Sequence, residues 1–286
     1  MIIEIIPWSD LTIPEAGKCY SGMPNEVYHG LKSWWSSSDL KHVRRSVESF
    51  YYELEQEHKG KLCFERGGAF HVAMEGLACA GTLKLFDRLT HECPTKTILT
   101  KAWRDLKTDF PECYVLPEKE RENVRKMTAA LYAKTGPDPH NFFAEGWPEL
   151  SFFWVDEETG FQLKCRPDWL RPNGCGKWII LDYKTSKNHQ LEAFRKDAAN
   201  LGYHFSAAMY EDGVEAVTGI PVKSFRWLVV ANTPPHECAC YPMGVNTRSE
   251  GLAQFRRSLR DIYDYAEPDG LVDEVLELPG WAFKET

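Results

Sequence analysis

No two cysteines of this chain stand in a C-x-x-C spacing, although it has nine, at positions 19, 63, 79, 93, 113, 165, 175, 238 and 240. A closed thiolate site for zinc or an iron–sulfur cluster needs more than the single close pair, Cys238-Ala239-Cys240, and neither cofactor is expected. Also missing are an apolar run long enough to span a bilayer and an N-terminal stretch patterned like a secretory signal. Free thiols in a reducing cytoplasm, with no membrane partner, are the expectation. Positive charge is in deficit: 34 Lys and Arg against 42 Asp and Glu give −8. Such a charge argues against indiscriminate coating of nucleic acid and leaves a local basic channel open. Candidates for it are Lys41, Arg44, Arg45, Lys164, Arg166 and the Arg256-Arg257-Arg260 group. Repeats, low-complexity tracts and a composition break marking a linker are absent as well. The 286 residues, 43% of them hydrophobic, therefore read as one domain spanning 1–286 with ample material for a core.

What is present is concentrated between Glu149 and Thr185, which read as three strands joined by two turns. In the second strand Phe161, Leu163, Cys165, Pro167 and Trp169 fall on one face, and Gln162, Lys164, Arg166 and Asp168 on the other, because side chains alternate along a strand. The third, Trp178 to Thr185, is apolar on both faces until Asp182-Tyr183-Lys184, the pattern of a strand covered from both sides. Asp182 and Lys184 share a face. With Arg171 to Gly176 as the connecting turn, Asp168 and Asp182 lie near one another on adjacent antiparallel strands, and two carboxylates at close range need a cation to stay ionised. Mg2+ takes such hard oxygen donors together with waters and substrate phosphate oxygens, and Mn2+ suits the same ligands. Lys184 then stands beside the metal, placed to orient or deprotonate a water or to balance charge on a phosphorane-like transition state. The pattern points to phosphodiester hydrolysis.

Arg166-Pro167-Asp168 followed by Asp182-Tyr183-Lys184-Thr185 resembles the PD-(D/E)xK nuclease motif. The surroundings resemble the exodeoxyribonuclease VIII-like (RecE-type) branch of phages and prophages: Tyr28-His29, Ser36-Ser37-Ser38-Asp39-Leu40, Gly68-Ala69-Phe70-His71, Glu149, Tyr203-His204, Ala208-Met209-Tyr210 and Asp212-Gly213. A DxK triplet alone carries almost no information, whereas the ordered set of His, Glu, PD and DxK is much more specific. The resemblance implies a restriction-endonuclease-like core and a Mg2+-dependent exonuclease acting on double-stranded DNA ends in the 5′→3′ direction. It also implies a ring-shaped homo-oligomer in a bacterial host cytoplasm, leaving 3′ single strands for a single-strand annealing protein. In this scheme His71, Asp168, Asp182 and the Tyr183 backbone carbonyl hold the metal, Lys184 handles the attacking water, and Glu149 assists through a second metal or a bound water. Lys164, Arg166, Ser206 and Tyr210 are the implied DNA contacts. One departure stands out: Ser206 occupies the place where the branch carries a glutamine, so that residue's work is done by water, by Tyr210, or not at all. Two other readings remain, a related endonuclease or single-strand and branched-DNA nuclease, and a catalytically weak DNA-binding module of the same fold.

Helical periodicity frames this centre. Ser36 and Asp39 have capping-box spacing, and Leu40, Val43, Val47, Tyr51 and Leu54 recur at helical intervals, predicting one helix of about twenty residues. A second helix, Glu65 to Leu77, packs through Ala69, Val72, Ala73 and Gly76, while His71 and Glu75, four apart, share another side. Residues 80–117 read as loops around a short helix near Lys101 to Lys107. Pro117 opens the next helix, with Glu118 and Glu120 in its first turn, and Gly136-Pro137-Asp138-Pro139 ends it. Helices over Gln190–Asn200 and Tyr203–Thr218 follow the strands. A hairpin of Phe225–Val229 and Glu237–Tyr241 comes next, and then a last helix turning Leu252, Phe255, Leu259 and Ile262 inward. The order predicts an α/β (α+β) fold with a mixed central sheet flanked by helices. An irregular arm over about 1–35 includes an edge strand at Ile2 to Ile6, and the catalytic core runs over about 65–265 with an insertion near 80–117.

Overall fold

In the computed structural model, which describes residues 3–9, 13–56, 61–136 and 141–266, one bent hairpin joins two sheets, and its bends position the site. The strands among the described residues are, in chain order, β1 (Ile5–Pro7), β2 (Lys18–Ser21), β3 (Thr90–Cys93), β4 (Tyr114–Pro117), β5 (Trp147–Pro148), β6 (Ser151–Val155), β7 (Gln162–Cys165), β8 (Trp169–Pro172), β9 (Trp178–Ser186), β10 (Val222–Ala231) and β11 (Cys238–Pro242). One sheet has the order β1-β2-β6-β7, the larger has β11-β10-β9-β8-β5, and β3 with β4 makes a small parallel pair. In the larger sheet β9 and β10 run parallel and the other neighbours antiparallel, so the sheet is mixed as expected.

The expected second strand is in fact two. Residues 147–155 and 162–172 form the arms of the hairpin: β6 pairs with β7 in one sheet, β5 with β8 in the other. The break falls at Arg166-Pro167-Asp168, where proline has no N–H to donate to a ladder. The turn after β8 is as read: the Asn173 side chain accepts from the amides of Cys175 and Lys177 at 2.8 and 3.0 Å. Gly174 and Gly176 take the positive φ values, 77° and 75°, that the tight reversal requires.

Both faces of β9 are covered. Trp178 and Ile180 enter a core shared with the helices Tyr203–Thr218 and Val245–Tyr263, while Leu181 and Tyr183 enter another shared with Leu62–Ala80 and Glu118–Thr135. The exposed edge of β7 is occupied by Trp35, which exchanges backbone hydrogen bonds with Gln162 and Lys164 at 2.9 Å.

Elsewhere the elements depart from expectation in instructive ways. The capping box of Ser36 and Asp39 forms, but the helix it begins is short (Ser37–Leu40), passes into a 3-10 turn and stops. Ser46 is extended and its hydroxyl caps a new helix, Val47–Glu55, through the Ser49 amide at 3.0 Å. A second N-cap, worth about 1 kcal/mol, thus outbids continuity of the apolar stripe. The arm is not irregular, since β1 and β2 extend a sheet, with β1 at its edge; Ile2 lies outside the described residues. The 80–117 stretch holds the expected short helix, Lys101–Asp109, and adds β3, β4 and the helix Lys84–Arg88; Trp103 Nε1 donates to the Val115 carbonyl at 3.1 Å. The helix before the hairpin ends at Thr135, and Pro137 to Pro139 lie outside the described residues. In the last helix Phe255, Leu259 and Ile262 are buried, but Leu252 is 42% exposed. Gly251 faces inward beside it, so close to the His204 carbonyl that a Cβ would stand 2.2 Å away. No helix among the described residues is long and apolar enough to cross a membrane.

Candidate active site

Both bends of the hairpin fall at charged residues. Glu149 holds a left-handed backbone, φ 47°, which non-glycine residues seldom adopt without a constraint. Its amide donates to the Asp168 carbonyl at 3.2 Å, pinning one bend to the other. Two carboxylates are thereby set where the sheets part.

The helix Leu62–Ala80 brings His71 to them. Ala69, Phe70, Ala73 and Met74 are buried, and Gly68 lets the Tyr114 ring approach the helix, where a Cβ would stand 2.1 Å from it. His71 Nδ1 lies 3.3 Å from Asp168 Oδ1 and 3.7 Å from Glu149 Oε1. The ligand atoms of the three residues all fall within 4.8 Å of one another.

Asp182 and Lys184 reach this region from the opposite side of the sheet. Trp169 pairs with Leu181, so Asp168 and Asp182 are next in line across the two strands. The Asp182 carboxylate is ion-paired with the Lys184 ammonium and stands outside the group of three. Lys184 also donates to the Tyr183 carbonyl at 3.2 Å and lies 5.2 Å over the Tyr203 ring. Asp168 Oδ2 accepts from the Tyr183 amide.

Burial and neighbouring charge oppose one another throughout the cluster. Burial alone would lower the His71 pKa, but the Asp168 and Glu149 carboxylates raise it to about 10. Burial would raise Asp168, yet His71, Lys184 and the Tyr183 amide hold it below the usual carboxylate range. Asp182 is pushed up to about 6 by burial, with the charge of Asp168 adding and Lys184 opposing. The space between Asp168 and Glu149 thus favours positive charge, which an imidazolium or a divalent cation supplies. One imidazole nitrogen, two carboxylates and the neighbouring Tyr183 carbonyl are donors that Mg2+ and Mn2+ accept, so the residues fit such an ion.

A groove of about 670 Å3 leads away from His71 and Glu149, lined among others by Tyr28, Ser36, Glu75, Arg166 and Tyr210. Arg166 is buried, donates to Ser151 Oγ at 2.8 Å and Asn25 Oδ1 at 3.0 Å, and lies 4.1 Å over the Tyr28 ring. Its Nη2 has no protein partner. Glu75 is pushed up to about 7 by burial, with Glu149 adding to it. Ser206 is half-buried, three residues from Tyr203 and four from Tyr210, so the three share one helix face, from which Tyr203 meets Lys184 and Tyr210 lines the groove. A second hollow, about 750 Å3 between Cys79, Phe143 and Trp169, carries none of these charged groups.

Two expected contacts are corrected. Lys164 does not face the groove: its buried ammonium donates to the carbonyls of Tyr28 and Leu31 at 2.7 and 2.8 Å, tying the arm to β7. Arg256 spans Asp156 and Asp212 instead of facing the substrate in a basic channel. Sequence reasoning also missed the supporting roles of Asn25, Ser151 and Tyr28 around Arg166, for which no local spacing gives a signal.

The family model described as a PDDEXK-like domain of unknown function (DUF3799) matches residues 36–268. Among solved structures, the chain is similar to a crystal structure from Eubacterium rectale described as a "putative exonuclease". The TM-score is 0.56 at 17% identity, over 89% of this chain and 94% of that one, a likeness of fold. A further structure, SSO0001, aligns over 70% of this chain and 86% of that one with a TM-score of 0.29 and 12% identity, and bears no argument. No curated protein matches.

Proposed function

We infer that this chain, which belongs to the PDDEXK-like domain family DUF3799, is a metal-dependent nuclease hydrolysing phosphodiester bonds at double-stranded DNA ends. The observation that carries the reading is the meeting of His71, Glu149 and Asp168 at the two bends, with Asp182 and Lys184 on the next strand. His71, Asp168, Asp182 and the Tyr183 carbonyl would hold Mg2+ or Mn2+, and Glu149 would assist them. The bound ion supplies Lewis-acid polarisation of the phosphodiester and a water of lowered pKa.

The remaining work belongs to the chain's own groups. Lys184, steadied by Asp182 and the Tyr183 carbonyl, orients the attacking water and stabilises charge growing on the phosphoryl oxygens. Arg166 offers its unpartnered Nη2 to a strand phosphate in the groove. Ser206 is too short to replace a glutamine, and Tyr210 on the same helix face takes that position. The finer assignments rest on the RecE-type resemblance: 5′→3′ polarity, a ring of identical subunits around the duplex, delivery of 3′ tails to an annealing protein, and a bacterial cytoplasmic setting.

The test is digestion of a linear duplex labelled at its 5′ or 3′ end, alongside a covalently closed circle, in Mg2+ and in EDTA. Early release of 5′ label as mononucleotides with the circle intact is expected. Cutting of the circle would assign an endonuclease, and no metal-dependent loss of any substrate would leave a DNA-binding module.

A further inference from the structure

Near Lys184 lies a half-buried second lysine, Lys41, with the exposed Arg44 next to it. Lys41 and Arg44, in the turn that follows the short Ser37–Leu40 helix, lie against Gly202 at the start of the helix Tyr203–Thr218. A Cβ there would stand 3.0 Å from Arg44 Nη1 and 3.2 Å from Lys41 Cε. Gly202 has φ 63° and no side chain, and the next residue, Tyr203, carries the Lys184 ammonium over its ring. One dipeptide therefore has the Lys41 stem and the Arg44 guanidinium on its glycine and the Lys184 ammonium on its tyrosine.

The charges at this place do not cancel. Neither Lys41 nor Arg44 makes a side-chain hydrogen bond or ion pair with another described residue, and Asp182, the carboxylate that acts on Lys41, is already paired with Lys184. Burial and the Lys184 charge lower the Lys41 pKa to about 8. A lysine serving only solubility would extend into water and keep its ordinary pKa. Holding one half-buried beside a second ammonium costs free energy that an arriving anion returns.

We propose that Lys41 and Arg44 form a phosphate clamp that grips the DNA strand being cut, at a phosphodiester next to the scissile one on the Lys184 side. This rests on the nuclease reading and adds to it a determinant of strand binding separate from the metal-holding residues. With Arg166 lining the groove and the Lys184 charge acting on Lys41, the clamp gives the strand a cationic contact besides Arg166.

The experiment measures binding of a fluorescent duplex by anisotropy in EDTA, where no cleavage occurs, over a salt series from about 50 to 200 mM. Lys41→Gln and Arg44→Gln are each expected to weaken binding several-fold. Each should also flatten the plot of log affinity against log salt by about 0.7 to 0.9, one phosphate contact. Lys41→Arg should restore the slope, which a merely structural lysine would not predict, and thermal unfolding checks that all variants fold. In Mg2+ the Gln variants should raise KM more than they lower kcat. If the wild type cuts DNA and the Gln variants keep its salt slope, the clamp is wrong and the nuclease stands. If the wild type neither binds nor cuts, both fail.

Discussion

Two residues before β6 stands Glu149 and just past its end Asp156, and each meets a second carboxylate and a basic side chain carried by a helix. At the Asp156 end the cation is Arg256, whose two terminal nitrogens reach Asp156 and Asp212 separately. Asp156 further accepts from the Thr159 amide and hydroxyl at 3.0 and 2.7 Å. Burial would raise its pKa, but Thr159 and Arg256 outweigh burial and lower it. At the Glu149 end the imidazole contacts are longer, 3.3 and 3.7 Å, the backbone is strained, and nearby Arg166 Nη2 lacks a partner. A satisfied cluster locks one conformation, whereas one left short of partners is poised to gain them from a ligand. Two carboxylates facing a helix-borne base are thus closed off by Arg256 beyond one end of a five-residue strand and left open to a ligand before the other.

The strongest way to break this contrast is at the chemical end. Asp182→Ala should lower Mg2+-dependent cleavage by about a thousandfold or more while circular dichroism and the unfolding midpoint show an intact fold. A variant retaining a tenth of the wild-type rate or more would remove Asp182 from the site. At the other end the effect should appear in stability. Arg256→Met strands the buried Asp156 without its partner and should cost about 3–5 kcal/mol in urea unfolding, with kcat of the folded protein within about twofold of wild type. A loss of under about 1 kcal/mol would mean the two ends do not differ in kind.

The smallest effect sharpens the boundary between them. Glu75 has a folded pKa of about 7 against an ordinary 4.5, so the fold binds its proton more tightly than the unfolded chain does. Its penalty is absent below the ordinary value and grows as pH rises through about 7. In EDTA, Glu75→Gln should thus stabilise the protein by about 1 kcal/mol at pH 8 and by nothing measurable at pH 5. Thermal melts at the two pH values check it, and equal shifts at both would show that the carboxyl is not desolvated.

Much of the fold was legible because its signals are local. The Ser36–Asp39 capping box, the Asn173–Gly176 turn, the helix Tyr203–Thr218 and the β10–β11 hairpin each depend on neighbours a few residues away. The failures came where two local signals competed, as at Ser46, or where the needed partner is remote, as for Lys164 and the carbonyls of Tyr28 and Leu31. The hairpin bends were half legible: Pro167 announces a break in a ladder, but nothing near Glu149 announces its left-handed backbone.

By itself the sequence determined that Asp182 and Lys184 share a face, that Asp168 lies across from Asp182, and that His71 leaves the packing stripe of its helix. Strand period, turn chemistry and helical spacing impose these within a few residues. Only the tertiary structure decided that His71 and Lys184, on opposite faces of one sheet, both act on the charge of Asp168, that Glu149 joins Asp168, that Arg256 is spent on Asp156 and Asp212, and that Lys41 rests on Gly202. Which charge meets which depends on how distant surfaces pack, and that is settled by the burial of the whole apolar core.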